Sequence, residues 1–154
     1  MKTAIYPGSF NPFHDGHKDV LTKALSVFDH VIIAVGINPE KITLSPNTNK
    51  IFIKDFEDEN IPSGLLKKVS VVTFDGLLVD EITRLKDQGT PVCAVIRGLR
   101  NGHDLQFEMN QQFWNEDLGL KVPVVYFITD RKLSHISSSA IRQIKSIKER
   151  TGKE

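Results

Sequence analysis

Apolar residues in this chain fall into five continuous runs: Thr3–Tyr6, Val31–Gly36, Val69–Phe74, Val92–Ile96 and Val122–Ile128. Runs of this length that do not alternate with polar residues predict strands covered on both faces. Between them the spacing changes to that of a helix. Val20, Leu21, Ala24, Leu25 and Phe28 form one stripe; Leu77, Leu78, Ile82 and Leu85 form a second, with Gly89 placed to end it. Leu105, Met109 and Phe113, flanked by Phe107, Trp114 and Leu118, form a third, and Ile141, Ile144 and Ile147 a fourth. Strand and helix in alternation predict an α/β fold, an open, mostly parallel five-stranded sheet with helices on both faces. No repeat, low-complexity tract or linker breaks the pattern, so residues 1–154 read as one domain.

The stretch 37–66 is the least patterned. Asn38-Pro39, Ser45-Pro-Asn-Thr-Asn49 and Ile61-Pro-Ser-Gly64 are turn signals. Ile51–Phe56 between them suits a helix or a strand, and the helix is preferred because a parallel crossover needs one.

Charge narrows the function. Twenty basic against nineteen acidic side chains leave a formal net charge of +1, so no global field points to nucleic acid or to an anionic membrane. No apolar run approaches membrane-spanning length, and Met1-Lys2-Thr3 is not followed by a signal-peptide core. The single Cys93 excludes an internal disulfide and reads as a small buried hydrophobe in a reducing compartment. The expectation is a cytoplasmic protein with neither a nucleic acid nor a membrane as partner.

Chemistry is concentrated where the predicted strands end, which is where open parallel sheets bind ligands. After the first strand comes Gly8-Ser9, then His14 and His17 at the start of a helix beginning near Gly16. Gly8 lacks a Cβ, so the backbone can turn sharply there and let a ligand approach its N–H groups. A hydroxyl and two imidazoles at a helix N-terminus make a phosphate site. Asn38-Pro-Glu-Lys41 follows the second strand, Phe74-Asp-Gly-Leu-Leu78 the third and Arg97-Gly-Leu-Arg100 the fourth. The fifth is followed by Arg131-Lys132 and by Ser137-Ser-Ser-Ala-Ile-Arg142. Cationic or phosphate-binding groups at four of five strand ends point to a polyphosphate ligand.

Each element also has a plainer reading. The histidine pair suits a metal, but His30, His103, His135 and Cys93 show no ligand spacing to complete a zinc site, and no metal-ligating residue is expected. Ser137–Ser139 could simply cap a helix, and Arg97 and Arg100 could form surface ion pairs. Lys41 alone reads as a solvated loop lysine, and Glu108 as a solvated helix residue. Neither a Gly-x-x-x-x-Gly-Lys-Ser/Thr loop nor a Gly-x-Gly-x-x-Gly fingerprint is present, and nothing forms a nucleophile elbow. Phosphoryl-type transfer needs no protein nucleophile, because positioning and charge stabilisation are enough.

Tyr6-Pro-Gly-Ser-Phe-Asn-Pro-Phe-His-Asp-Gly-His17, Ile96-Arg-Gly-Leu-Arg100 and Ile136-Ser-Ser-Ser-Ala-Ile-Arg142 resemble the signatures of the Rossmann-like nucleotidyltransferases bearing a His-x-Gly-His motif. Phe74-Asp-Gly-Leu-Leu-Val-Asp80 and Asp104-Leu-Gln-Phe-Glu-Met109 are similar to the phosphopantetheine adenylyltransferase family in particular. The resemblance implies transfer of adenylate from ATP to 4′-phosphopantetheine with Mg²⁺, giving dephospho-coenzyme A and pyrophosphate, in a homo-oligomer that is usually a hexamer. It implies that Ser9 touches both substrates, that Phe10 belongs to the ATP site, and that His17 holds the ATP phosphates and stabilises the transition state. Lys41 would bridge the attacking phosphate and the α-phosphate, Leu78 would line the pantetheine arm and Arg97 would hold its phosphate. Gly98, Leu99, Arg100 and Glu108 would contact ATP, as would Leu133, Ser134, His135, Ile136, Ser137, Ser138 and Ser139. Between Ser45 and Lys68 the family's acidic-and-arginine helix is not recognisable, and Phe107 stands where tyrosine is frequent. Two other readings stay open: adenylyl transfer to another small phosphate such as nicotinamide mononucleotide, and a nucleotide-binding protein without catalysis.

Overall fold

The computed structural model describes residues 1–40 and 45–152. Five strands, β1 (Thr3–Gly8), β2 (His30–Gly36), β3 (Val69–Phe74), β4 (Ala94–Leu99) and β5 (Val124–Ile128), form one sheet in the order β3-β2-β1-β4-β5. Every pairing is parallel. Five α-helices alternate with them: α1 (Asp15–Ala24), α2 (Pro46–Asn60), α3 (Leu78–Asp87), α4 (Gly102–Asp117) and α5 (Ser138–Thr151).

The continuous apolar runs are buried as expected, with Ile5, Ile33 and Ile96 wholly inaccessible. Alternate strand residues serve opposite faces. On one face, Val20, Leu21 and Ala24 of α1 and Phe56 of α2 pack against Tyr6, Ile33 and Ile96. On the other, Leu85 of α3 and Leu120 beyond α4 pack against Ile5, Ile32 and Val95. Gly89, with φ +86°, supplies the left-handed residue that ends α3 as expected.

Local expectations changed in four places. The turn signal at Ser45-Pro46 is the start of α2: Ser45 caps it by accepting the Thr48 N–H at 3.2 Å, and proline occupies the first turn. The preferred helix at Ile51–Phe56 lies inside it. β4 runs to Leu99 and not to Ile96, because Arg97, Gly98 and Leu99 stay in register with Tyr126, Phe127 and Ile128. β5 begins only after Pro123, which has no N–H to give the ladder. Cys93 is exposed, not buried: it stands just before β4, between the inward-facing Val92 and Ala94.

The stripes on α4 and α5 are helical but not covered by this chain's described residues. Phe113 and Trp114 remain 52% and 68% exposed, and Ile144 and Ile147 also face outward. Lys41 lies outside the described residues.

Candidate active site

β1 hands the chain to β2 on one side of itself while β4 pairs on its other side. The C-terminal ends of β1 and β4 therefore flank the point where connections diverge, and a cleft opens between them. Two cavities occupy this rim. The larger, about 330 Å³, is lined by Tyr6, Ser9, Phe10, His14, His17, Gly98, Arg100, Ile136, Ser137 and Ser138, with Thr129 and Phe107 at its sides. The smaller, about 290 Å³, is lined by Phe74, Leu77, Leu78, Gln111, Gln112, Asn115 and Tyr126. Pro7, Gly8, Arg97 and Glu108 line both and form the partition between them.

The loop after β1 is set by an aromatic residue rather than by glycine. Phe10 carries φ 44°, a conformation that side chains seldom adopt. Gly8 is not left-handed; a Cβ there would stand 2.9 Å from the Phe10 ring. The turn brings Phe10 edge-on to His17, with ring centroids 4.9 Å apart.

α1 begins with a reciprocal cap made of the two histidines. His14 Nδ1 accepts the Gly16 N–H at 3.1 Å, and His17 Nδ1 accepts the His14 N–H at 3.2 Å. An imidazole whose Nδ1 accepts carries its proton on Nε2, so each ring keeps an Nε2–H donor. Burial, with His14, Arg97 and Arg100 nearby, pushes the His17 pKa down to about 3. Burial and Arg100 also lower that of His14. His17 is thus a neutral hydrogen-bond donor at physiological pH.

The opposite wall is the start of α5. Ser137 caps it by accepting the Ala140 N–H at 3.1 Å, and Ser138 Oγ donates to Pro12 O at 2.9 Å. Arg142 Nη1 donates to Asn11 O, tying the same helix to the β1 loop. Two helix N-termini, those of α1 and α5, therefore meet in one cavity, and their unpaired N–H groups suit an anion. The segment between β5 and α5 is fixed by α1: Asp19 accepts the Asp130 N–H at 2.8 Å, and Lys23 donates to Ile128 O at 2.7 Å.

The arginines are not bare cations. Arg97 Nε and Nη2 donate to Glu108 Oε2 and Oε1 at 2.8 and 2.7 Å, and Nη1 donates to Pro7 O at 2.9 Å. Burial works against the Arg97 charge, but Glu108, joined by Tyr6 and Tyr126, holds the pKa above its ordinary value. Glu108 is buried, so leaving either charge alone would cost about 3 kcal/mol or more. Arg100 is paired in the same two-oxygen manner with Asp104. The cavity's attraction for phosphate therefore rests on N–H donors and helix ends as much as on net charge.

Of the residues expected at the site, Ser9, Phe10, His17, Arg97, Gly98, Arg100, Glu108, Ile136, Ser137 and Ser138 line the larger cavity, and Leu78 lines the smaller. Leu99, Leu133, Ser134, His135 and Ser139 line neither, and Lys41 lies outside the described residues. Sequence reasoning missed Tyr6, Asp104 and Thr129. The spacing of Arg100 and Asp104 at a helix start could have revealed that pair. The Arg97–Glu108 pair joins a strand to a helix and left no local signal.

Residues 5–144 match the cytidylyltransferase-like family, the class of protein that this parallel sheet and its divided rim define. Curated relatives narrow it. A phosphopantetheine adenylyltransferase from Clostridium novyi is 35% identical over 144 residues, 94% of this chain and 83% of the relative. One from Flavobacterium johnsoniae is 37% identical over 146 residues, 94% of this chain and 88% of the relative. The chain belongs to the phosphopantetheine adenylyltransferases within the cytidylyltransferase-like family. A solved structure from Vibrio parahaemolyticus, assigned as a nicotinate-nucleotide adenylyltransferase, shares the fold at a TM-score of 0.58 and 22% identity, over 100% of this chain and 84% of that one.

Proposed function

We propose that this chain is an enzyme that transfers adenylate from ATP to 4′-phosphopantetheine, releasing pyrophosphate and giving dephospho-coenzyme A. The observation that carries the reading is the rim itself: two cavities meet at one guanidinium, and an imidazole donor stands in the larger. ATP fits the larger cavity, its phosphates against the N-termini of α1 and α5. The pantetheine arm fits the smaller beside Leu78, and its phosphate reaches Arg97 at the partition.

The chemistry is then a single displacement. An oxygen of the acceptor phosphate attacks the α-phosphorus, the bond from that phosphorus to the β-bridging oxygen breaks, and pyrophosphate leaves with the electron pair. The attacking oxygen is already anionic, so no general base is required. His17 donates through Nε2 to oxygen on the phosphate chain, and the donation gains strength as negative charge moves toward the leaving group. Ser9, on the wall of the larger cavity, touches both substrates in this reading. Lys41 bridges the attacking phosphate and the α-phosphate in this reading.

Mg²⁺ belongs to the proposal as the companion of ATP. Among the described residues the cavity's donors do not fit a protein-held ion: the carboxylates Asp104 and Glu108 are each engaged by an arginine through both oxygens. Among the described residues no cluster of three or more His, Cys, Asp or Glu forms a metal site. The exposed apolar stripes of α4 and α5 support assembly with further copies of the chain. A cytoplasmic location accords with the sequence, and no helix among the described residues is long and apolar enough to cross a membrane.

The test follows the label. With ATP labelled at the α-phosphorus, the reading expects label in dephospho-coenzyme A and none on the protein. Label held covalently by the protein would rule out single displacement.

A further inference from the structure

Among the groups at the rim, Glu108 lines both cavities and is given only an ATP contact by the resemblance, and the reaction above assigns it no step. It is a buried carboxylate on the wall shared by both cavities, and its two oxygens are spent on Arg97. We infer that Glu108 is the positioning residue for the acceptor phosphate: it holds Arg97, with Pro7 O as the third support, so that the guanidinium presents its remaining N–H groups at the partition.

The geometry supports this in three ways. Glu108 takes the Nε/Nη2 edge and Pro7 O takes Nη1 at 2.9 Å, which leaves one N–H on each Nη without a partner among the described residues. A fork held along one edge cannot swing, so its remaining donors face a fixed direction. The supports are also rigid, since Pro7 is paired within β1, Arg97 lies within β4 and Glu108 sits on α4. The buried carboxylate would repel a phosphate if it stood alone. Bound to Arg97, it trims the excess positive charge and fixes direction, so the site selects by placement as well as by attraction. This assignment rests on the proposed acceptor and adds a residue to its selection.

Steady-state kinetics of E108Q, with both substrates varied, provide the test. The amide keeps the shape but loses the charge and one of the two acceptors. The expected result is a KM for phosphopantetheine raised about tenfold or more, with the KM for ATP within about twofold of wild type. In an R97K background the same change should add little, because Glu108 acts through Arg97. E108D, which keeps the charge one methylene back, should show the same split at smaller amplitude and serves if E108Q does not fold. Equal rises in both KM values, or full additivity with R97K, would overturn the assignment. A wild-type protein with no phosphopantetheine-dependent turnover would instead overturn the proposed function, so the two failures are distinguishable.

Discussion

The rings of His14 and His17 stack with centroids 3.8 Å apart, and the Nδ1 of each accepts a backbone N–H at the start of α1, His14 from Gly16 in the first turn and His17 from the capping His14. The helix cap and the proposed transition-state donor are one structure. The sequence spacing that caps the helix also fixes which nitrogen of His17 is left to donate.

Removing that donor should act on turnover more than on binding. H17A is expected to lower kcat by about a hundredfold or more, the usual loss for one donor aimed at developing charge. ATP affinity, measured by calorimetry, should weaken but remain measurable. Weakened ATP affinity with kcat unchanged would assign His17 to ground-state binding alone.

His17 also links stability to pH. Its folded pKa is lowered from 6.5 to about 3, so between these values the unfolded chain holds a proton that the folded chain does not. The stability attached to this group is complete above 6.5 and declines as pH falls through the window toward 3. H17N does not titrate there. Its Tm should therefore fall less than that of wild type between about pH 7 and about pH 5, by a few degrees. Identical acid sensitivity in the two proteins would contradict a depressed His17 pKa.

At Gly98, β4 packs tightly against Val20 of α1. A Cβ there would stand 2.8 Å from Val20 Cγ2, so either the helix or the strand must give way. G98A is expected to cost about 1–3 kcal/mol, read as a lowered Tm. In V20A/G98A the loss should be smaller than the sum of the single losses, because the two changes share one space. Strict additivity would show that the contact does not limit the packing.

Much of this architecture was legible before any coordinates, because buried parallel strands need continuous apolar runs and amphipathic helices need a different period. Val31–Gly36 and Val69–Phe74 coincide with β2 and β3 to within a residue for that reason. Periodicity identified α4 as a helix but could not say what covers Phe113 and Trp114. Ser45-Pro46 was ambiguous because the same residues suit a turn and a helix start. At the site, His17 and Ser138 could be placed from strand ends and caps alone. Arg97 with Glu108 could not, since β4 and α4 contribute one residue each and no local spacing pairs them. The left-handed Phe10 was equally hidden, as aromatic residues rarely signal such a backbone.

The choice of acceptor tests the account most directly. Pyrophosphate release from ATP should be measured against separate phosphorylated acceptors, 4′-phosphopantetheine and nicotinamide mononucleotide among them, each with the same chain. The account predicts stoichiometric release with phosphopantetheine and only background release with the others. Release driven by nicotinamide mononucleotide in place of phosphopantetheine would contradict it, as would ATP binding with no release for any acceptor.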